Sequence, residues 1–256
     1  MPVHIRITDA TEKQLEAAKI ITKLLSESGC RVAFIGGFAM ALLGSDRKTQ
    51  MNLLIELAKD LSISDAREMV MRKDPSFVKD DAGIHFYKVD SEEYKELVPN
   101  DPAKGIDAHY LLRHASNNVL IETLPVGQLG LPLVAGPLLE NDISGLSILH
   151  PKVLILTKLK RWCTLHESTR PKTRLKAQSD RHDINFLVEL LVENKLHIAF
   201  DEYTGKPREQ LLKYVRIYWA QLKLEENHDG IEALRKILKP DDLEYIVLSQ
   251  QQEDKI

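Results

Sequence analysis

A chain of 256 residues, 43% hydrophobic and 29% charged, has room for one large domain or two small ones and the composition of an ordinary soluble globular protein. Its formal charge of -3 excludes a general electrostatic pull toward nucleic acid or an anionic membrane, so any phosphate binding has to be local. Cys30 and Cys163 belong to no CxxC or Cys/His spacing, which argues against a disulfide framework and structural zinc. Together with the lack of a leader-like start or an apolar run of ~18 residues, this sets the expectation of a cytoplasmic protein that makes no use of a membrane.

In chain order, residues 11–28 space their apolar positions as an amphipathic helix, with Asp9 and Glu12 placed like a capping box. A short apolar strand at 32–35 runs into Gly36 and Gly37, and 38–43 reads as a helix stopped by Gly44. The apolar run 51–57 predicts a buried strand, followed by a helix at about 64–72. Strands are expected at 84–89, 105–112 and 119–124, and irregular or edge structure at 125–137, where glycines and prolines break up the apolar pairs. From Pro151 the character changes. Helical spacing marks 152–166, 179–194, 207–223 and 230–238, with Pro151 and Pro207 suited to first turns. The expected layout is an α/β (α+β) domain at 1–149, a mixed sheet with flanking helices, then a helical domain at 150–256 packing on its cleft.

The segment 35–49, Ile-Gly-Gly-Phe-Ala-Met-Ala-Leu-Leu-Gly-Ser-Asp-Arg-Lys-Thr, resembles the signature of the polymerase-β-like nucleotidyltransferases, particularly their small AbiEii-like and related uncharacterised members. Gly36, Gly37, Gly44, Ser45, Arg47 and Thr49 match the pattern of Gly-Gly, short helix, Gly-Ser and Arg-x-Thr. Where the family then carries two aspartates on one strand, this sequence has Met51 and Leu53. Those carboxylates hold Mg²⁺ against the nucleotide phosphates, and neither a thioether nor an isobutyl group can do so. Sliding the register by one brings Asn52 to the position but offers no second carboxylate nearby. Downstream, Asp107 matches the family's third carboxylate, Lys158 its cleft-facing lysine, and Asp180 and Asp183 the acids that open the next helix.

The resemblance thus implies a nucleotidyltransferase-like fold that has lost its metal pair. By the period of two in a strand, Met51, Leu53 and Ile55 share a face, expected to be an apolar floor of the old cleft or simply packed core. Asp107 and His109 fall on the same side of their strand and form a candidate acid/base pair, with Lys158 beside them as a third catalytic candidate. Gly36, Gly37, Ser45, Arg47, Met51, Leu53, Ile55 and Asp183 are the candidate substrate contacts. No metal, zinc or other cofactor is expected, since the histidines show no ligand spacing and there is no Walker loop, GxSxG or GxGxxG.

Three functions fit these residues. One is a metal-independent enzyme that binds a small apolar molecule and promotes a cyclisation, cycloaddition or isomerisation. The others are a divergent nucleotidyltransferase or toxin-like protein acting on nucleotide or RNA, and a non-catalytic binding protein. The sequence favours a small-molecule ligand. The basic residues between Lys152 and Arg181 leave nucleic acid open as a partner without favouring it, and the oligomeric state is not legible.

Overall fold

In a computed structural model of the chain, the structure describes residues 11–46, 50–74, 76–79, 84–86 and 119–253. The chain divides into two compact units, one of residues 1–126 and 140–148, the other of residues 127–139 and 149–256. No helix among the described residues is long and apolar enough to cross a membrane.

The first unit begins with α1 (Thr11–Ser26), β1 (Arg31–Ile35), α2 (Gly36–Leu42), β2 (Met51–Glu56) and α3 (Ile63–Lys73). Ser62 caps α3 reciprocally with Asp65, each satisfying the other's backbone N–H, which fixes the start of that helix. β3 (Phe77–Lys79), β4 (Ile84–Phe86) and β5 (Val119–Pro125) follow. With β6 (Leu138–Glu140) and β7 (Ser147–Leu149) they form a seven-stranded sheet in the order β3-β4-β5-β2-β1-β7-β6.

The sheet is mixed. β2 pairs antiparallel with β1 and parallel with β5, while β1 pairs parallel with β7. β2 is central, with Met51, Leu53, Leu54 and Ile55 all fully buried and the half-buried Asn52 and Glu56 sharing a face with Leu54. The α/β (α+β) class expected from the sequence is the class observed.

The second unit is helical: α4 (Pro151–Leu165), α5 (Pro171–Glu193), α6 (Arg208–Leu224), α7 (His228–Lys236) and α8 (Pro240–Glu253). Pro151 occupies the first turn of α4, where a missing N–H leaves nothing unsatisfied, and the ring nitrogen of His150 accepts from the Lys152 N–H. The core is built from Leu154, Ile155 and Leu159 of α4, Ile184 and Leu187 of α5, and Leu211, Val215 and Trp219 of α6. The turn-rich stretch 127–139 belongs to this unit, tied down where the Tyr203 hydroxyl donates to the Gly130 carbonyl at 2.6 Å.

α5 starts eight residues earlier than the apolar spacing predicts. Pro171 suits the first turn, and Lys172, Arg174, Leu175, Lys176, Ala177 and Gln178 are strong helix formers, most of them exposed, so propensity rather than an apolar face extends the helix there. α8 and the short strands β3, β6 and β7 carry too few periodic apolar residues to be read in advance.

Candidate functional site

The central strand decides which side chains stand beside the Gly-Gly turn. In the β2–β5 register Met51 lies opposite Ile121, Asn52 opposite Glu122 and Leu53 opposite Thr123. Met51, Leu53 and Ile55 therefore share a face with Ile121 and Thr123. Helix α3 covers that face, because Arg67 donates from Nε to the Thr123 hydroxyl at 2.8 Å. Met51 and Leu53 are 0% exposed and Ile55 1%.

The opposite face carries Asn52, Leu54 and Glu56 of β2 with Glu122 of β5. The start of α2 lies on this side. Gly36 has a positive φ of 67°, and a Cβ added to it would come within 2.4 Å of the Asn52 amide oxygen. Only a glycine lets the chain turn from β1 into α2 at that approach. Asn52 Nδ2 donates to the Glu122 carboxylate across the strands. Asn52 is half-buried and Glu122 exposed, so the pair faces solvent.

This geometry amends the expected site. Met51, Leu53 and Ile55, read as a floor beside the glycines, are packed on the far side of the strand, and the polar position next to Gly36 is Asn52. A carboxylate does stand near it, from a strand that the sequence resemblance had not used. Glu122 was legible only as the one charge in the run Val119-Leu-Ile-Glu-Thr-Leu124, and Asn52 as the one uncharged polar residue in 51–57. Glu56 shares the face but lies four residues along β2, ~13 Å from Asn52. Gly37 is buried in α2, and the Ser45 N–H closes that helix on the Met40 carbonyl. Arg47, Thr49, Asp107 and His109 lie outside the described residues.

In the second unit the structure brings together Lys158, Arg161, Asp180 and Asp183. The spacing of three along α4 and along α5 aligns two cations with two acids. Lys158 Nζ lies 2.5 Å from Asp183 Oδ2 and 3.7 Å from Asp180 Oδ1. Arg161 holds Asp180 in a two-pronged grip at 2.6 and 2.5 Å. Both aspartates are wholly buried and Lys158 is 3% exposed. Burial pulls the Lys158 pKa below the ordinary lysine value, and the nearby Asp183 and Asp180 charges oppose that shift. The ammonium of Lys158 is thus committed to an interior ion pair in the helical unit.

Close to it, the Cys163 thiol donates to the Tyr214 carbonyl, and burial pushes its pKa up to about 12, which keeps it from acting as a nucleophile. Among the described residues no group of three or more His, Cys, Asp or Glu side chains is placed to hold a metal ion.

No family model and no curated protein matches the sequence. Among solved structures, the chain is similar to an antigenic nucleotidyltransferase-like protein from Paracoccidioides brasiliensis. The two share 15% identity over 90% of this chain and 95% of that one, with a TM-score of 0.56. The fold is nucleotidyltransferase-like. At that identity the likeness carries the architecture and no residue role.

Proposed function

We propose that this chain is a nucleotidyltransferase-fold protein that does not perform two-metal nucleotidyl transfer and serves as a binding protein. One observation carries this reading: among the described residues, the strand face beside Gly36 presents an amide, Asn52, hydrogen-bonded to one carboxylate, Glu122, with the fully buried Leu54 two residues along the strand. Two-metal transfer needs oxygen ligands that bridge two hard cations, and one carboxylate with one amide does not fit that task. The likeness to the AbiEii-like members rests on the order of the sequence motifs alone.

A metal-independent enzyme acting on an apolar substrate loses its main support, because the residues cast as the apolar floor are core. A divergent nucleotidyltransferase is the second reading, favoured by the presence of Glu122 where one metal ligand could stand.

Thermal melting of the purified protein with ATP, GTP, CTP or UTP at millimolar concentration, with and without Mg²⁺, separates the two. A binding protein without transfer chemistry shows no Mg²⁺-dependent stabilisation by any of the four and moves no labelled nucleotide onto an acceptor. Mg²⁺-dependent stabilisation together with label transfer by the wild type would overturn the reading. Asn52→Asp supplies the positive control: a second carboxylate beside Glu122 is expected to create stabilisation by Mg²⁺ or Mn²⁺ that the wild type lacks.

A further inference from the structure

Helices α4, α5 and α6 of the second unit enclose a groove that the proposed function leaves unused. One part, of about 220 Å³, is lined by Trp162, His166, Arg174, Gln178, Arg181 and Gln221. His166 and Gln221 are shared with an adjoining hollow of about 300 Å³, which continues along α6 past Lys213 and Ile217 to Leu224. The two make one open channel.

The charges around this channel are unlike those deeper in the unit. Lys152, Lys158 and Arg161 are matched to Glu202, Asp183 and Asp180, and in the channel wall itself Arg181 is gripped by Glu225. Arg170, Lys172, Arg174 and Lys176 are exposed around the start of α5 and form no ion pair among the described residues, and no acid stands in that first turn. Lys213 is exposed in the adjoining hollow, which the exposed Glu167 also lines. Cations at a helix N-terminus oppose the helix dipole, each at roughly 0.3 to 1 kcal/mol. Their clustering there works against stability, in a chain whose net charge is -3. An anionic partner reverses the penalty.

The apolar residues decide what kind of anion fits. A nucleic acid would want an open aromatic face. Trp162 offers none, being 4% exposed, with His166 stacked on it at 4.3 Å and Tyr218 edge-on at 5.0 Å. Leu224, at the far end of the channel, is 81% exposed. Phosphates and riboses would leave this leucine in water, whereas an amphipathic peptide covers it.

We infer that the α4–α5–α6 groove docks an acidic, leucine-bearing segment of a partner protein, its carboxylates meeting Arg174 and Lys213 and its apolar side chain covering Leu224. The inference uses the helical unit alone and stands apart from the reading of the Asn52 face.

Fluorescence anisotropy on the full chain at low salt tests it with three labelled probes: a synthetic peptide of alternating Glu and Leu pairs, an all-Glu peptide of the same length, and single-stranded poly(U). The Glu/Leu peptide is expected to bind best. Its affinity should fall at least about tenfold in Arg174→Glu/Lys213→Glu and about threefold in Leu224→Ser, with no change in Lys236→Glu, a charge reversal outside the groove. All four side chains are exposed, so matching melting curves establish that the variants are folded. Absence of binding, equal affinity for the two peptides with no effect of Leu224→Ser, or tighter binding of poly(U) abolished by the same charge reversals would each overturn the docking of an acidic amphipathic segment.

Discussion

The two units handle polarity in opposite ways. In the helical unit one cation, Lys158, and two carboxylates, Asp180 and Asp183, meet in the interior with Arg161 reaching in from the surface, and each buried charge is tolerable only because its partner is in place. In the sheet unit the interior face of β2 is wholly apolar, and the polar pair, Asn52 with Glu122, stands on the solvent side beside the Gly-Gly turn. Resemblance by motif order treats residues of both units as members of one site. Burial separates them: a buried, fully paired cluster holds structure together, while a half-exposed pair has polar atoms that a ligand can reach.

The strongest way to break this contrast is to put a charge on the wrong side of β2. Met51→Asp or Leu53→Asp places a carboxylate at a position with no exposure, and the loss should exceed ~4 kcal/mol, enough to prevent soluble expression. The neighbouring Asn52→Asp, one residue away on the open face, should melt within a few degrees of wild type. Equal melting temperatures for Met51→Asp and Asn52→Asp would mean that the two faces of the strand have been wrongly distinguished.

Next in size is the buried cluster. Asp183→Ala leaves the Lys158 ammonium short of its nearest partner in the interior and should cost about 3 to 5 kcal/mol. Lys158→Met combined with Asp183→Leu removes both charges and should recover most of that loss, so a double-mutant cycle by denaturant unfolding should be far from additive. Additive single losses would show that the pair is not coupled.

Gly36→Ala comes third. The positive φ alone should cost roughly 1 to 2 kcal/mol, and the new methyl group also meets the Asn52 side chain. Combining it with Asn52→Ala relieves the contact but not the backbone strain, so the double variant should regain part of the loss. A Gly36→Ala protein that melts like wild type would remove the close approach between α2 and β2 from the account of the site.

These expectations also show what could be read from the chain and what could not. α4 and α6 were legible because their apolar residues repeat at helical spacing, behind a first-turn proline in α4 and a proline at the N-cap in α6. The presence of β2 was legible too. Its orientation was not: Leu54 is as buried as Leu53, so alternation gives no contrast, and Asn52 has no carboxylate near it in sequence, its partner Glu122 lying 70 positions away. Pairing across strands is a long-range fact that local periodicity cannot carry. Motif order singles out the lysine and aspartate of the helical unit, but it is silent on whether a charge faces solvent or interior.

The smallest expected effect concerns the one bidentate ion pair at the groove, Arg181 with Glu225, which marks the exposed end of the same contrast. Both side chains are about a third exposed, at 32% and 31%, so solvent screens the pair and Arg181→Gln should cost only ~0.2 to 1 kcal/mol at neutral pH. The Glu225 carboxyl is held below the ordinary value of 4.5, first by the hydrogen bond from Arg181 and then by that from Gln221, with burial opposing. A carboxylate with a depressed folded-state pKa stabilises the fold fully above its unfolded value and loses that contribution as pH falls through the folded one. The stability gap between wild type and Arg181→Gln should therefore be constant above about pH 5 and close as the solution is acidified below about pH 4.5, shrinking also with added salt. Urea unfolding of the two proteins across that range measures it. A gap that persists unchanged in acid would mean that Arg181 stabilises the unit through packing of its stem rather than through its charge.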